Sequence, residues 1–346
     1  MPNPIRPHVL LSGFADEGPV SKRAEAQLTM TRALGMSWYT VRFVDLGSGV
    51  KNAMKLDDDE VAQLVALHDE FEVRVSSLGS PIGKVKLRDV DDGTHNAFVP
   101  FEQCLRTDVA HAIKLAQALG ARLIRGFSFY PPKGDDPWQH VEQAADQLGQ
   151  IAEACAAAGL YFGLEVEANL VGRDGPLLRA LWERVGHEHL RLIFDGANIS
   201  CQGYSTAEVI ESYHAMKPGL GWLHLKDYRH ARDEQGWPQI GAKGYVDEDA
   251  VHNMVPCDVG DSGHEAIFRD LAGLLPSLTA WWQERGVPGV FVDLEPHLKG
   301  GGQFGGFSGP DGFGVALRAL TNLLDYTGIG YDLTKLRDLT KLQARL

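Results

Sequence analysis

A short apolar run followed by a helical pattern recurs eight times along this 346-residue chain, and that alternation leaves few folds open. The strand-like runs lie at 8–13, 37–43, 72–78, 121–128, 160–166, 190–195, 221–226 and 289–295. They are rich in β-branched and aromatic residues and mostly apolar throughout, as strands covered on both faces must be. The helical patterns fall at about 20–34, 57–70, 100–119, 138–158, 176–186, 205–217, 264–286 and 311–327. The fourth, WQHVEQAADQLGQIAEACAAAGL, repeats apolar residues every three or four positions and stops at Gly159. Two other helical patterns stop at Gly35 and Gly120. No second composition block interrupts the alternation. The chain therefore reads as a single α/β domain over residues 1–346, a (β/α)8 barrel, with a doubly wound sheet as the competing architecture.

Four of the strand runs end on a residue able to bind a metal: GLEVEAN on Glu165, LIFDGAN on Asp195, WLHLKD on His224 and VFVDLEPH on Glu295. Three carboxylates and one imidazole suit a hard or borderline divalent ion, Mn²⁺ or Mg²⁺, better than a thiophilic one. The first three are about one strand-helix unit apart, and the last follows after a unit with a long insertion. Side chains on four successive strand ends converge only where parallel strands share one rim, as at the carboxyl end of a barrel. Two long segments follow strands 7 and 8: a polar, turn-rich stretch at 227–263 and a stretch at 299–314 with eight glycines. Both are expected to rise over the rim and shape the site, the second as a mobile lid or interface loop. It lacks the GxxxxGK[ST] pattern of a phosphate cradle.

A net charge of −13 argues against steering toward nucleic acid or an anionic membrane. Four cysteines without a CxxC pair indicate reduced thiols. No run approaches the ~18 apolar residues of a membrane span. A cytoplasmic location is the expectation.

These residues resemble the sugar phosphate isomerase/epimerase family of xylose-isomerase-like TIM barrels, which includes ketose 3-epimerases and inosose isomerases or dehydratases. The resemblance runs from GFADEG near the N-terminus to LLDYTGIGY, and the ordered Glu-Asp-His-Glu set is its specific part. It implies that Glu165, Asp195, His224 and Glu295 bind a divalent metal, commonly Mn²⁺, and that Glu165 and Glu295 are also the acid/base pair beside the substrate carbon. The implied reaction is proton abstraction next to a carbonyl, through an enediolate. The chain departs from the ketose-epimerase pattern at three places. It has Asn198 where those enzymes offer a histidine, His230 where they offer an arginine, and Val171 where they often carry a glutamate. The α subunits of bacterial C-glycoside deglycosidases look similar too. They imply an alternative in which the enediolate of a 3-keto-glycoside expels its C1 substituent.

Lys226, two residues after His224, points into the barrel by strand alternation, where it meets either substrate or an acid such as Asp227. Asn198, His230, His297 and Arg42 complete the candidate substrate-binding set. Arg125 sits in an apolar strand and needs an ionic partner, Glu167 shares a face with Glu165, and His140 is placed to cap a helix. The expected partners are a small carbohydrate, further copies of this chain and, under the lyase reading, a smaller β subunit. Endonuclease IV shares the fold superfamily, but it uses a histidine-rich zinc cluster and a basic groove, which this acidic chain lacks.

Overall fold

The computed structural model describes residues 7–19, 21–244, 246, 253–298 and 309–334. Eight parallel strands form the barrel: β1 His8–Gly13, β2 Trp38–Val41, β3 Arg74–Gly79, β4 Leu123–Gly126, β5 Tyr161–Glu165, β6 Leu190–Phe194, β7 Leu220–Leu225 and β8 Phe291–Leu294. Each lies beside its sequence neighbours, and β8 returns to pair with β1. Every strand-like run of the sequence overlaps one of them to within a residue or two at each end. Their residues are almost entirely buried, which explains why they read as continuous apolar runs.

The helices follow the same correspondence: α1 Ala24–Ala33, α2 Asp58–Phe71, α3 Ala110–Ala118, α4 Val141–Ala157, α5 Gly175–Val185, α6 Thr206–Met216, α7 His264–Gln283 and α8 Gly309–Thr327. Before α3, an α-helical turn at Phe101–Cys104 leads into a π-helical turn at Leu105–Val109. Gly159 ends α4 with φ of +71°, and the next amide, Leu160 N, donates back to Cys155 O at 2.8 Å. This left-handed turn suits glycine and stops the helix as its sequence position predicts. Asp57 and Ser205 cap α2 and α6 as capping boxes.

The seam between β1 and β2 is built differently from the other junctions. A single parallel bridge, Phe14 to Thr40, joins them at the carboxyl end. At the other end the short strand Gly330–Tyr331 pairs with His8 and Val9 of β1, on the edge away from β8. Between these points Leu11 N donates to Asp332 Oδ1 at 2.7 Å. Burial raises the Asp332 carboxyl to about 6.

The segment 227–263 is more structured than its turn-rich composition suggests. Asp227–Tyr228 pairs antiparallel with Met254–Val255, and Ala231–Arg232 with Pro238–Gln239. The glycine-rich stretch 299–314 divides: α8 begins at Gly309, so its last glycines belong to a helix, while 299–308, where the lid is expected, lies outside the described residues. Among the described residues no helix is long and apolar enough to cross a membrane.

Candidate metal centre and active site

Glu165 closes β5, Asp195 directly follows β6, His224 lies in β7 and Glu295 directly follows β8, so the four predicted ligands meet on the carboxyl rim. Each offers one donor atom, and these atoms all lie within 4.8 Å of one another. All four side chains are buried. His224 Nδ1 stands 3.1 Å from Glu165 Oε1 without a hydrogen bond, as two donors turned toward a common ion do. Asp195 Oδ1 accepts from the amides of Ala197 and Asn198, which fixes the carboxylate and leaves Oδ2 toward the centre.

Beneath the site the barrel interior is polar. Asp293, two residues before Glu295 on the same inward face, pairs in register with His224. Its Oδ1 accepts from Thr40 at 2.8 Å and Ser76 at 3.2 Å, and Ser76 Oγ meets Ser12 Oγ at 2.6 Å. All of these side chains are buried. Asp293 Oδ2 is left facing His224 Nε2.

Cationic side chains surround the ligands. Lys226 Nζ lies 2.5 Å from Asp195 Oδ2 and 2.6 Å from Glu295 Oε2, so its acidic partners are two ligands and not Asp227. Asp227 instead holds His264 Nδ1 at 3.1 Å. Arg42 spans Asp16, Glu17 and Glu295 at 2.8–3.0 Å, and Arg125 Nε lies 3.3 Å from Glu165 Oε2. Farther out, Lys84 pairs with Glu167 at 3.0 Å. Carboxylates outnumber the cations in this buried cluster, so its centre attracts a cation. The donor set and the unpartnered imidazole nitrogen fit a divalent ion.

The titration behaviour follows from this crowding. Burial pushes Asp195 up to about 6, outweighing the pull of Lys226. For Glu165 burial acts in the same sense, but the charges of His224 and Arg125 overcome it and hold the group at about 2. Burial opposes charge on His224 and His297, yet neighbouring carboxylates raise both.

A cavity of about 240 Å³ opens above the ligands, and Arg42, Arg125, Asn198, Lys226 and His297 line it. Asn198 Nδ2 donates to Glu165 Oε1 at 3.3 Å and to Val166 O at 3.0 Å. His297 Nδ1 lies 2.7 Å from Glu17 Oε1, and its Nε2 lies 3.8 Å from Glu295 Oε1. The sixth-residue spacing from His224 misplaces His230. That residue lies past the turn into Asp227–Tyr228, its ring meets Tyr204 O at 3.1 Å, and it does not line the cavity. His140 pairs with Asp135 and makes no side-chain capping bond to α4. Cys201 borders the cavity with its thiol pushed up to about 12 by burial, which leaves it inert. Asp16, Glu17 and Asp293 contact the candidate site residues, and the sequence reading passes over all three. The acids of GFADEG at the end of β1 are the signal for the first two.

The family model for the xylose isomerase-like TIM barrel matches residues 28–274, and the chain belongs to that family. No curated protein matches the sequence significantly. Solved structures agree on the fold. A xylose isomerase-like TIM barrel protein from Mycobacterium smegmatis, in complex with magnesium, is 17% identical with a TM-score of 0.60, covering 93% of this chain and 97% of its own. The IolI protein with a bound zinc atom is 11% identical with a TM-score of 0.64, covering 92% and 99%. An L-ribulose 3-epimerase is 14% identical with a TM-score of 0.58, covering 92% and 95%.

Proposed function

We propose that this chain is a divalent-metal-dependent sugar isomerase or epimerase that abstracts a proton beside a carbonyl. The observation that carries the reading is the buried Glu165-Asp195-His224-Glu295 set, with its two glutamates at opposite ends of the ligand arc. A bound Mn²⁺, Mg²⁺ or similar ion supplies the positive charge that an enediolate needs. Glu165 and Glu295 serve as the base and acid that remove and return the proton. Lys226 and Arg42 hold their carboxylates ionised and aimed, and Asn198 fixes Glu165. His297, oriented by Glu17 through both its ring and its backbone amide, presents Nε2 to a substrate oxygen.

The test is NMR of manganese-loaded protein in D₂O with a panel of ketoses and 3-keto-glycosides. Solvent deuterium at the carbon beside the carbonyl is the expected result, and free aglycone identifies elimination instead. Absence of both from every substrate, with metal bound, overturns the reading. Elemental analysis gives a parallel check: one ion per chain in the parent and almost none in His224→Ala.

A further inference from the structure

The cations lining the cavity differ in one respect. Arg42, Arg125 and Lys226 are shut in, with side chains no more than 9% exposed, and each is bound to a carboxylate at the floor. Lys84 is 26% exposed and stands at the mouth, its ammonium 4.3 Å from the Phe127 ring centroid. Of the described lysines and arginines lining the cavity Lys84 is the most exposed, so an anion entering from solvent meets it first. That charge is already cancelled: Glu167 Oε2 lies 3.0 Å from Lys84 Nζ and is itself 24% exposed. Glu167 and Glu165 both border the cavity. An approaching dianion therefore meets a carboxylate as well as an ammonium, and must break the ion pair to gain a contact.

We propose that Glu167 is a specificity-determining residue that neutralises Lys84 and restricts the site to uncharged, unphosphorylated sugars. The inference rests on the proton-abstraction reading for what the site does, but its central test needs no turnover. Binding of inorganic phosphate to the manganese-loaded protein is measured by calorimetry for the parent, for Glu167→Gln, for Lys84→Gln and for the double variant. Removing the Glu167 charge in the first variant takes away the carboxylate that competes with an anion at Lys84, so phosphate affinity rises about tenfold over the parent through a charge-assisted contact, and the second substitution removes that gain. Because phosphate can also bind the metal, only the difference between the proteins counts. Equal affinity in the parent and Glu167→Gln overturns the proposal. So does phosphate binding by the parent that Lys84→Gln abolishes, because Lys84 would then already be an anion handle. If no sugar exchanges deuterium while Glu167→Gln gains phosphate affinity that depends on Lys84, the proton-abstraction reading fails and the role of Glu167 as an anion filter stands.

Discussion

Asp293 Oδ2 lies 4.0 Å from His224 Nε2, and the two residues are direct register partners across β7 and β8. With Oδ1 occupied by Thr40 and Ser76, the free oxygen is the natural acceptor for an Nε2 proton. At 4.0 Å the contact is electrostatic, not a hydrogen bond, and it favours the tautomer protonated on Nε2 with Nδ1 toward Glu165. A carboxylate behind a metal-binding histidine also raises its basicity. Asp293→Asn preserves shape and most hydrogen bonds, so the fold should survive while manganese affinity falls about 10–100-fold. Calorimetric metal titration checks this, and an unchanged dissociation constant would reduce Asp293 to a packing role.

Glu295→Gln tests the division between binding and proton transfer. The amide keeps one ligand oxygen and still accepts from Arg42, but it cannot act as a base. Turnover is expected to drop ~10²–10⁴-fold while metal occupancy changes far less. Near-normal turnover at full occupancy would show that the two-carboxylate mechanism is wrong.

Lys226 bridges two prospective ligands, so its removal leaves Asp195 and Glu295 without their shared ammonium. Breaking a buried ion pair from one side costs about 3–5 kcal/mol. The Lys226→Met protein should melt well below the parent without metal, and added Mn²⁺ should raise its midpoint by more than it raises the parent's. Calorimetry with and without Mn²⁺ measures both. Equal metal-induced shifts would mean that Lys226 does not stabilise those carboxylates.

His68 provides a pH-dependent test far from the metal. Its Nε2 meets the buried Tyr39 hydroxyl at 2.7 Å, and burial lowers its pKa from 6.5 to about 4. A depressed histidine contributes stability that is fully present above the unfolded value and is lost as pH falls toward the folded one. The window therefore runs from pH 6.5 down to about 4, with a limit of about 3 kcal/mol. Asp332 and Asp195, both raised to about 6, work in the opposite sense, losing stability as pH rises through the same range. The informative quantity is the difference between the parent and His68→Gln, which should narrow as pH is lowered. Parallel stability curves would remove His68 as a titrating group.

The sequence displays this barrel because its strands are covered on both faces, so each appears as a mostly apolar run, and four of them are closed by a carboxylate or a histidine. The same contrast makes Glu165, Asp195, His224 and Glu295 visible. Asp293 has no such contrast: it sits inside the run VFVDLEPH, and its hydroxyl partners come from β2 and β3, more than 200 residues away. Glu17 is equally non-local, reaching His297 across 280 residues. His230 fails for the opposite reason. A fixed spacing from His224 assumes an unchanged backbone path, but the chain bends into the Asp227–Tyr228 pairing before reaching it. Residue identity reveals candidate ligands at strand ends, while the contacts that orient them depend on which strands close the ring.

The β1–β2 seam is completed by residues distant in the chain. Its lower half is filled by Gly330 and Tyr331, and its middle by the Asp332 carboxyl on Leu11 N. More than 300 residues separate β1 from these partners, so its open edge stays without them until that length has been synthesised. A nascent chain can pair β2 through β7 in order, yet Arg42 from the β2 side and Glu295 from the β8 side meet only across the closing ring. A chain cut short before Gly330 would carry all four candidate ligands while leaving the edge of β1 as a template for another strand.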